Sequence, residues 1–220
     1  NSHSISDHTQ SNWNGITGEL SLSAISDVSI SDVKIYPDTE KKVARVIVSI
    51  KNPDKISFKG KLRFSAKSFN TDKTQKLAVK NVTIVTNAGK HQTIINYKIS
   101  KPRLWSEFNP ALYRLSVLLK ESGKGIVDEQ AVDFGMREFR TNGTRFEING
   151  NPVFLRGTTE CCIFPLTGYP PADVLSWGKV LKTVKDYGLN HVRFHSFCPP
   201  EAAFKAADRL GLYFHIECSS

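Results

Sequence analysis

Polar side chains that could do chemistry collect in the last third of the chain, each near the end of a short apolar segment. They are Glu160, Arg193, His195 and Glu217. A carboxylate can transfer a proton or accept hydrogen bonds, an imidazole can do both near neutral pH, and a guanidinium donates charge-assisted hydrogen bonds to anions. These four groups are therefore the candidates for a binding site.

The four cysteines lie in the same region, at Cys161, Cys162, Cys198 and Cys218. Zinc needs four ligands in a tetrahedral arrangement, and the sequence lacks the C-x2-C and H-x3-H spacings that usually supply them. We therefore predict no metal site and no cofactor. Because residues 1–160 contain no cysteine, a domain there cannot be held by a disulfide, and the cysteine count leaves the redox compartment open.

The elements that position the candidates are strands that alternate with helices. Apolar segments predict strands over 152–156, 191–195 and 213–217. Parallel strands joined by helices place their carboxyl ends at one edge of a sheet, and the candidates follow those ends. A complete (β/α)8 barrel has eight strands and about 250 residues, so three strands form only the opening of a barrel.

Two helices are predicted between these strands. Asp173 can cap the first, in which apolar residues repeat at helical spacing until Gly188. The second begins with Pro200 in its first turn and stops at Gly211. Upstream, the Asn-Gly pairs at 142–143 and 149–150 fit tight hairpin turns.

Residues 19–139 show a different pattern, in which apolar and polar residues alternate as in Val46, Val48 and Ile50. Six or seven such segments with no helical pattern between them favour an antiparallel immunoglobulin-like sandwich. We expect Trp105 to fill one end of its core. The predicted fold is thus mainly β, with this sandwich followed by a partial (β/α)8 barrel of about three strands and two helices.

The formal net charge of +9 raises the question of an anionic partner. Lysine and arginine form no basic run, and over 59–67 they alternate with apolar residues as on the solvated face of a strand. No segment approaches the roughly 20 apolar residues of a membrane span. We predict neither a nucleic-acid partner nor a membrane partner.

Six sequence segments, taken in their order along the chain, are similar to those of one known family. They are Ser6–Gly15, Leu104–Leu115, Phe134–Phe139, Phe146–Gly157, Tyr187–Arg193 and Ala207–Tyr213. Together they resemble glycoside hydrolase family 2, which contains β-galactosidases, β-glucuronidases and β-mannosidases. The resemblance covers nearly the whole chain. It implies three parts: the tail of a sugar-binding jelly roll over 1–18, the sandwich over 19–139, and the start of a catalytic barrel over 140–220.

The resemblance also implies a retaining mechanism on a carbohydrate substrate, with one glutamate as acid/base and another as nucleophile about 5 to 5.5 Å away. In the family both glutamates lie on later barrel strands. We therefore expect no catalytic residue in this chain and no hydrolase activity from it alone. A periplasmic or secreted location is favoured over a cytoplasmic one by the same resemblance.

Arg193 matches a family arginine that supports the active-site carboxylates, although it fits equally well as a buried arginine that ties strand ends together. His195 fits either a group that binds a sugar hydroxyl or a core histidine. Glu160 and Glu217 are expected to line the sugar pocket, or, for Glu217, to orient its neighbours. The sequence over 160–162 and 195–199 differs from that of the best-known family members. The substrate of those members therefore cannot be assigned to this chain.

Two other expectations concern partners. The sandwich could instead be a non-catalytic carbohydrate-binding or adhesion module, which would need exposed aromatic side chains to stack on sugars. The unfinished barrel edge at 213–217 is expected to expose apolar surface, and another copy of the chain could cover it by self-association.

Overall fold

The computed structural model of the chain describes residue 16 and residues 20–53 and 57–217. The predicted jelly-roll tail over 1–18 lies outside the described residues except for residue 16, and Cys218 lies outside them as well.

The chain forms two compact units. The first, here called the two-sheet unit, contains residues 23–106 and 111–152. The second, here called the parallel unit, takes in residues 107–110 and 153–217. Residues 107–110, from the middle of the chain, therefore belong to the same unit as residues 153–217.

In the described part of the two-sheet unit, seven strands form two large sheets, and all their pairings are antiparallel: β1 (Ser29–Asp38), β2 (Val43–Asn52), β3 (Phe58–Phe69), β4 (Lys80–Thr86), β5 (Gly89–Lys98), β6 (Leu112–Glu121) and β7 (Gly125–Phe134). One sheet has the order β1-β2-β5 and the other the order β4-β3-β6-β7. Because successive side chains of a strand point to opposite faces, each sheet has an inner and an outer face.

The inner faces of the two sheets share one hydrophobic core. Val46, Val48 and Ile50 contribute to it from one sheet, and Leu62 and Phe64 contribute from the other. All five side chains are buried. Burial of such side chains stabilises a fold by about 1.5 to 3 kcal/mol each. The alternation predicted from the sequence is confirmed in these strands.

The burial predicted for Trp105 is also confirmed. Its backbone N–H donates to the carbonyl of Met136 at 2.9 Å, and its own carbonyl accepts from the Asn149 side chain at 3.0 Å. The guanidinium of Arg137 lies 5.0 Å from its ring centroid. A Cβ atom on Gly135 would come within 3.1 Å of the Trp105 side chain, so glycine allows this close approach.

A small third sheet follows, with the order β10-β9-β8, formed by β8 (Phe139–Asn142), β9 (Arg145–Ile148) and β10 (Asn151–Val153). Asn149 and Gly150 connect the last two strands, and both have positive φ, at 52° and 78°. Asparagine and glycine are the residues that tolerate this conformation best, which confirms the second predicted hairpin turn.

Among its described residues the parallel unit has a sheet of three strands in the order β11-β12-β13, which are β11 (Gly157–Glu160), β12 (His191–Phe194) and β13 (Tyr213–Ile216). Both of their pairings are parallel, as predicted. The prediction of a strand over 152–156 was wrong. Its beginning pairs in the third sheet, and the Arg156 backbone N–H donates to the Asn190 side chain at 2.7 Å, so the parallel strand begins only at Gly157.

Both predicted helices are present, as α1 (Val174–Asp186) and α2 (Glu201–Leu210). Asp173 caps α1 by accepting the backbone N–H of Ser176 at 2.8 Å. Gly211 ends α2 in the left-handed conformation. Neither of these described helices is long and apolar enough to cross a membrane.

The helices pack on one face of the parallel sheet. Trp177 and Leu181 of α1, and several alanines of α2, share a core with Val192 and Phe194 of β12. The ring of Trp177 meets that of Phe194 edge to face, with centroids 6.0 Å apart. Its indole N–H donates to the carbonyl of Pro171 at 2.7 Å, so its one polar group is satisfied inside the core.

A buried carboxylate, that of Glu107, lies at the amino ends of the three parallel strands. Only 6% of Glu107 is exposed. Its two oxygens accept hydrogen bonds from different partners, one from the Asn190 side chain and the other from Arg156 at 3.3 Å. Arg156 directly precedes β11 and Asn190 directly precedes β12, so one carboxylate holds the starts of two strands.

The backbone of Glu107 holds the start of the third strand. The ammonium of Lys185 donates to the carbonyls of Glu107 and Leu210, at 2.7 Å each. A Cβ on Gly211 would lie 2.7 Å from the Glu107 carbonyl oxygen, so only glycine allows the two backbones to approach this closely. Burial lowers the pKa of Lys185, whereas the charge of Glu107 opposes this shift.

We predict that Glu107→Ala lowers the free energy of unfolding of the parallel unit by about 3 kcal/mol, because it leaves buried polar partners without their acceptor. Glu107→Gln should fall between this variant and the wild type, since it keeps one acceptor oxygen. Denaturant unfolding followed by far-ultraviolet circular dichroism measures this, because both described helices belong to the parallel unit.

Phe108→Ala is the matched control, since Phe108 is the next residue and 88% exposed. It should change the free energy of unfolding by no more than about 0.5 kcal/mol. Equal losses from Glu107→Ala and Phe108→Ala would contradict the role assigned to the carboxylate.

Candidate functional site

The parallel register brings polar residues of three strands to one face. Thr159 of β11, Arg193 of β12 and His215 of β13 lie level with one another. Alternation puts them on the face opposite to Val192 and Phe194, which pack against the helices. The face away from the helices is therefore polar.

Arg193 and Glu217 form the centre of this site. The Arg193 Nε donates to Glu217 Oε1 at 2.7 Å, and Nη2 donates to the same oxygen. The other oxygen, Oε2, accepts the backbone N–H of Ser196 at 2.9 Å. The Glu217 carboxylate, directly after β13, thus connects the Arg193 side chain on β12 to the loop that follows β12.

This geometry keeps Glu217 ionised. The hydrogen bonds from Arg193, and then the one from the Ser196 backbone, hold the pKa of Glu217 below its ordinary value. The charge of His195 acts in the same direction. The side chains of Arg193 and Glu217 remain 42% and 25% exposed, so the pair is accessible from solvent.

Ser196 sits in an uncommon backbone conformation, with φ at 61°. The left-handed region costs a residue with a side chain roughly 1 to 2 kcal/mol, and here the bond from its N–H to Glu217 compensates. The Ser196 hydroxyl lies 3.5 Å from Nδ1 of His195. His195 is half-buried and shares this corner with Arg193 and Glu217.

Glu160 does not join them. Its register partner on β12 is Phe194, so it projects on the helix side of the sheet. One of its oxygens accepts the backbone N–H of Cys162 at 2.6 Å, which closes the loop after β11. Burial raises the pKa of Glu160, although this and neighbouring backbone N–H groups oppose the shift.

The described cysteines are free thiols. Burial, and secondarily the charge of Glu160, raises the pKa of Cys162 to about 12, so its thiol stays protonated and unreactive at neutral pH. Cys161 is half-buried, and Cys198 is exposed. In the described part of the chain no three histidine, cysteine or acidic side chains are arranged to hold a metal ion.

Two further histidines on the polar face were not among the predicted residues. The rings of His191 and His215 are stacked, with centroids 6.2 Å apart. Burial, and then the neighbouring His215, lowers the pKa of His191. Residues 191, 193 and 195 alternate along one strand, and this spacing could have placed His191 on the same face as Arg193. Pairing the strand 213–217 in parallel with 191–195 could have placed His215 there as well.

The comparisons with known proteins agree with this architecture. A glycosyl hydrolase family 2 member from Bacteroides cellulosilyticus aligns over 86% of this chain with a TM-score of 0.76 and 23% identity. A family 2 β-galacturonidase from Eisenbergiella tayi aligns over 89% with a TM-score of 0.73 and 17% identity. These two structures define the fold class of the chain.

The sequence identifies the family. The profile of glycosyl hydrolases family 2 matches residues 28–137, half of the chain, and the chain therefore belongs to this family. A Formosa agariphila protein assigned as a β-glucuronidase is 29% identical over 91% of this chain. A β-galactosidase from Yersinia enterocolitica is 30% identical over 56% of it. The family predicted from the six sequence segments is confirmed.

The chain is short beside these relatives. It spans 24% of the Formosa agariphila protein and 12% of the Yersinia enterocolitica enzyme. Among the solved structures it spans 26% of the Bacteroides cellulosilyticus chain and 34% of the Eisenbergiella tayi chain. The relatives therefore contain long parts that have no counterpart in this chain.

We predict that Glu217 stabilises the parallel unit in a pH-dependent way. Because its pKa is lowered in the folded state, its contribution is complete above the pKa of the unfolded chain and is lost as the pH falls through the folded value. The difference in free energy of unfolding between wild type and Glu217→Gln should be constant near neutral pH and should shrink below the ordinary glutamate pKa of about 4.3.

Denaturant titrations across this acid range, followed by circular dichroism, measure the effect. Glu201→Gln is the control, because Glu201 lies in the same unit with its side chain 79% exposed. A difference for Glu217→Gln that does not vary with pH would argue against an ionised carboxylate bound to Arg193.

Proposed function

We propose that this chain is a segment of a retaining glycosidase that hydrolyses O-glycosidic bonds of a carbohydrate. The observation that carries the proposal is the match of the family 2 profile to residues 28–137. In this proposal the two-sheet unit is the immunoglobulin-like sandwich of the family, and β11, β12 and β13 are the opening strands of its (β/α)8 barrel.

The position of the polar site supports the barrel assignment. Barrel enzymes carry their active sites at the carboxyl ends of the strands. Arg193 and Glu217 lie at that end, whereas the buried carboxylate of Glu107 lies at the opposite end, where polar residues serve stability. The two polar clusters of the parallel unit are thus separated by the length of a strand and have different roles.

The described carboxylates do not fit a catalytic pair. A retaining enzyme needs one carboxylic acid that can give up a proton and one carboxylate that can attack the sugar. The lowered pKa of Glu217 makes it a poor proton donor at neutral pH. Glu160 has a raised pKa, but it projects on the helix side and is bound to the Cys162 backbone. We infer that catalysis requires residues outside this segment.

The role we assign to Arg193 and His195 is to bind the substrate or to position the catalytic carboxylates. Glu217 accepts from Nε and Nη2 of Arg193, and the side chain of Arg193 remains 42% exposed, so its guanidinium can reach a further acceptor. His195 adds an imidazole beside the same carboxylate. Glu217 acts in this scheme by holding Arg193 in place, and Glu160 acts by holding the loop after β11.

The alternative of a sugar-stacking module has less support. Several aromatic residues of the two-sheet unit, including Phe64, Tyr97, Trp105 and Tyr113, are buried and cannot stack on a ligand. Tyr36, Phe139 and Phe146 are exposed, but the two phenylalanine rings stack on each other, with centroids 5.4 Å apart. Self-association through the outer edge of β13, at 213–217, remains a prediction, supported by the position of this strand at the end of its sheet.

We predict that the 220-residue chain alone does not hydrolyse aryl β-glucuronides, β-galactosides or β-mannosides. A protein that carries this chain together with the remaining length of its relatives should hydrolyse one of them. Its first product should keep the β configuration, which proton NMR of the anomeric signal detects.

In that longer protein, Arg193→Lys should lower kcat by about a hundredfold, because lysine cannot bind Glu217 and a second acceptor in the same fixed geometry. Arg145→Lys, at an exposed arginine of β9, is the control and should leave kcat unchanged. Hydrolysis by the short chain alone, or an inverted product, would refute the proposal.

A further inference from the structure

The outer face of the four-stranded sheet concentrates positive charge. It is called the basic face here, and its cations are Lys59, Lys61, Arg63, Lys67, Lys76, Arg114 and Lys120. In sequence these residues alternate with apolar ones and form no run. Alternation nevertheless sends them all to one face, and the strand register places them side by side.

Like charges face each other directly across the strands of this face. Lys61 pairs with Lys120, and Lys67 is flanked by Arg114 on one side and Lys76 on the other. Side chains directly opposite in an antiparallel pair have Cβ atoms about 4.5 to 5.5 Å apart, and like charges there destabilise the sheet. The folded chain therefore tolerates a repulsion that an anionic ligand would relieve.

The carboxylates on this face are already engaged. Asp133 binds Arg114 through two hydrogen bonds, at 2.7 and 2.8 Å. Glu129 accepts from the hydroxyl of Ser116 at 2.8 Å. Within residues 20–53 and 57–217, no carboxylate forms an ion pair with Lys61, Lys67 or Lys120. Seven cations therefore stand against two carboxylates, those of Asp133 and Glu129, so the described part of the basic face keeps an excess of positive charge.

The other sheet has a different outer face. Tyr36, Ile47 and Ile94 lie in the middle of it, and its Lys51 and Lys90 are directly opposite each other near one end of the sheet. Its Lys34 also pairs with Asp32 at 3.5 Å. The larger excess of positive charge therefore lies on the outer face of the β4-β3-β6-β7 sheet, where Val85 and Leu118 stand among the cations.

We propose that the basic face binds an acidic polysaccharide, a polymer whose sugars carry carboxylate or sulfate groups. The inference rests on the proposed function, because a glycosidase that binds a polymer on its surface raises the local concentration of the sugars that it cuts. It adds a binding surface for an anionic glycan on the two-sheet unit, which the polar site at the strand ends does not provide.

The chemistry of the face favours a glycan over a nucleic acid. Ser65, Asn81 and Thr83 lie among the cations and can hydrogen-bond to sugar hydroxyls. Single-stranded nucleic acids bind by stacking bases on aromatic rings. The one aromatic ring on the described part of this face, Phe69, is covered by the guanidinium of Arg114, 5.3 Å from its centroid.

The test measures binding of the 220-residue chain to polygalacturonate at low salt, with neutral dextran and single-stranded DNA as comparison ligands. The triple variant Lys61→Gln, Lys67→Gln and Lys120→Gln should weaken polygalacturonate binding by about tenfold or more and reduce its salt dependence. It should unfold at the same or a higher denaturant concentration than the wild type, because repulsion is relieved.

The matched control is Lys51→Gln, Lys90→Gln and Lys98→Gln, which removes three exposed charges from the other sheet and should leave binding unchanged. Equal losses in both triple variants, no wild-type binding, equal binding to dextran or tighter binding to DNA would each overturn the proposal. Binding needs no hydrolysis, so the result is independent of whether the longer protein is a glycosidase.

Discussion

The parallel unit depends on one buried carboxylate. Glu107 comes from a four-residue segment that lies far from the rest of this unit in sequence, and it contacts the residues that precede all three parallel strands. A buried charge is costly unless hydrogen bonds satisfy it, and Arg156 and Asn190 do so here. The starts of the strands are therefore fixed with respect to one another, and so are the ends that carry the polar site.

At those ends a second carboxylate has the complementary task. Glu217 holds Arg193 and the Ser196 backbone in one arrangement, and its lowered pKa shows that the charged form is the stable one. This arrangement is formed without a ligand, as the role proposed for Arg193 in binding requires. A proton donor, by contrast, must come from a group that is held less firmly in its ionised form.

Much of this was predictable from the sequence, since periodicity identified the strands and helices and Gly188 and Gly211 marked the helix ends. The strand over 152–156 was misplaced because its apolar residues resemble a buried strand, whereas the hydrogen bond from Arg156 to Asn190 decides where pairing begins. Glu160 was assigned to the pocket because position in sequence does not reveal the face of a strand. The role of Glu107 and the basic face could not be predicted, because both arise from contacts and strand register between segments that are distant in the sequence.

The central claim is that the carboxyl ends of β11, β12 and β13 form the floor of a sugar-binding active site. The most direct measurement is a crystal structure of the longer protein with a sugar-like covalent inhibitor bound. The sugar ring should lie at these strand ends, with Arg193 hydrogen-bonded to the inhibitor or to the carboxylate that holds it, and with Glu217 still bound to Arg193. A sugar at the opposite end of the strands, beside Glu107, or an Arg193 remote from it, would contradict the account.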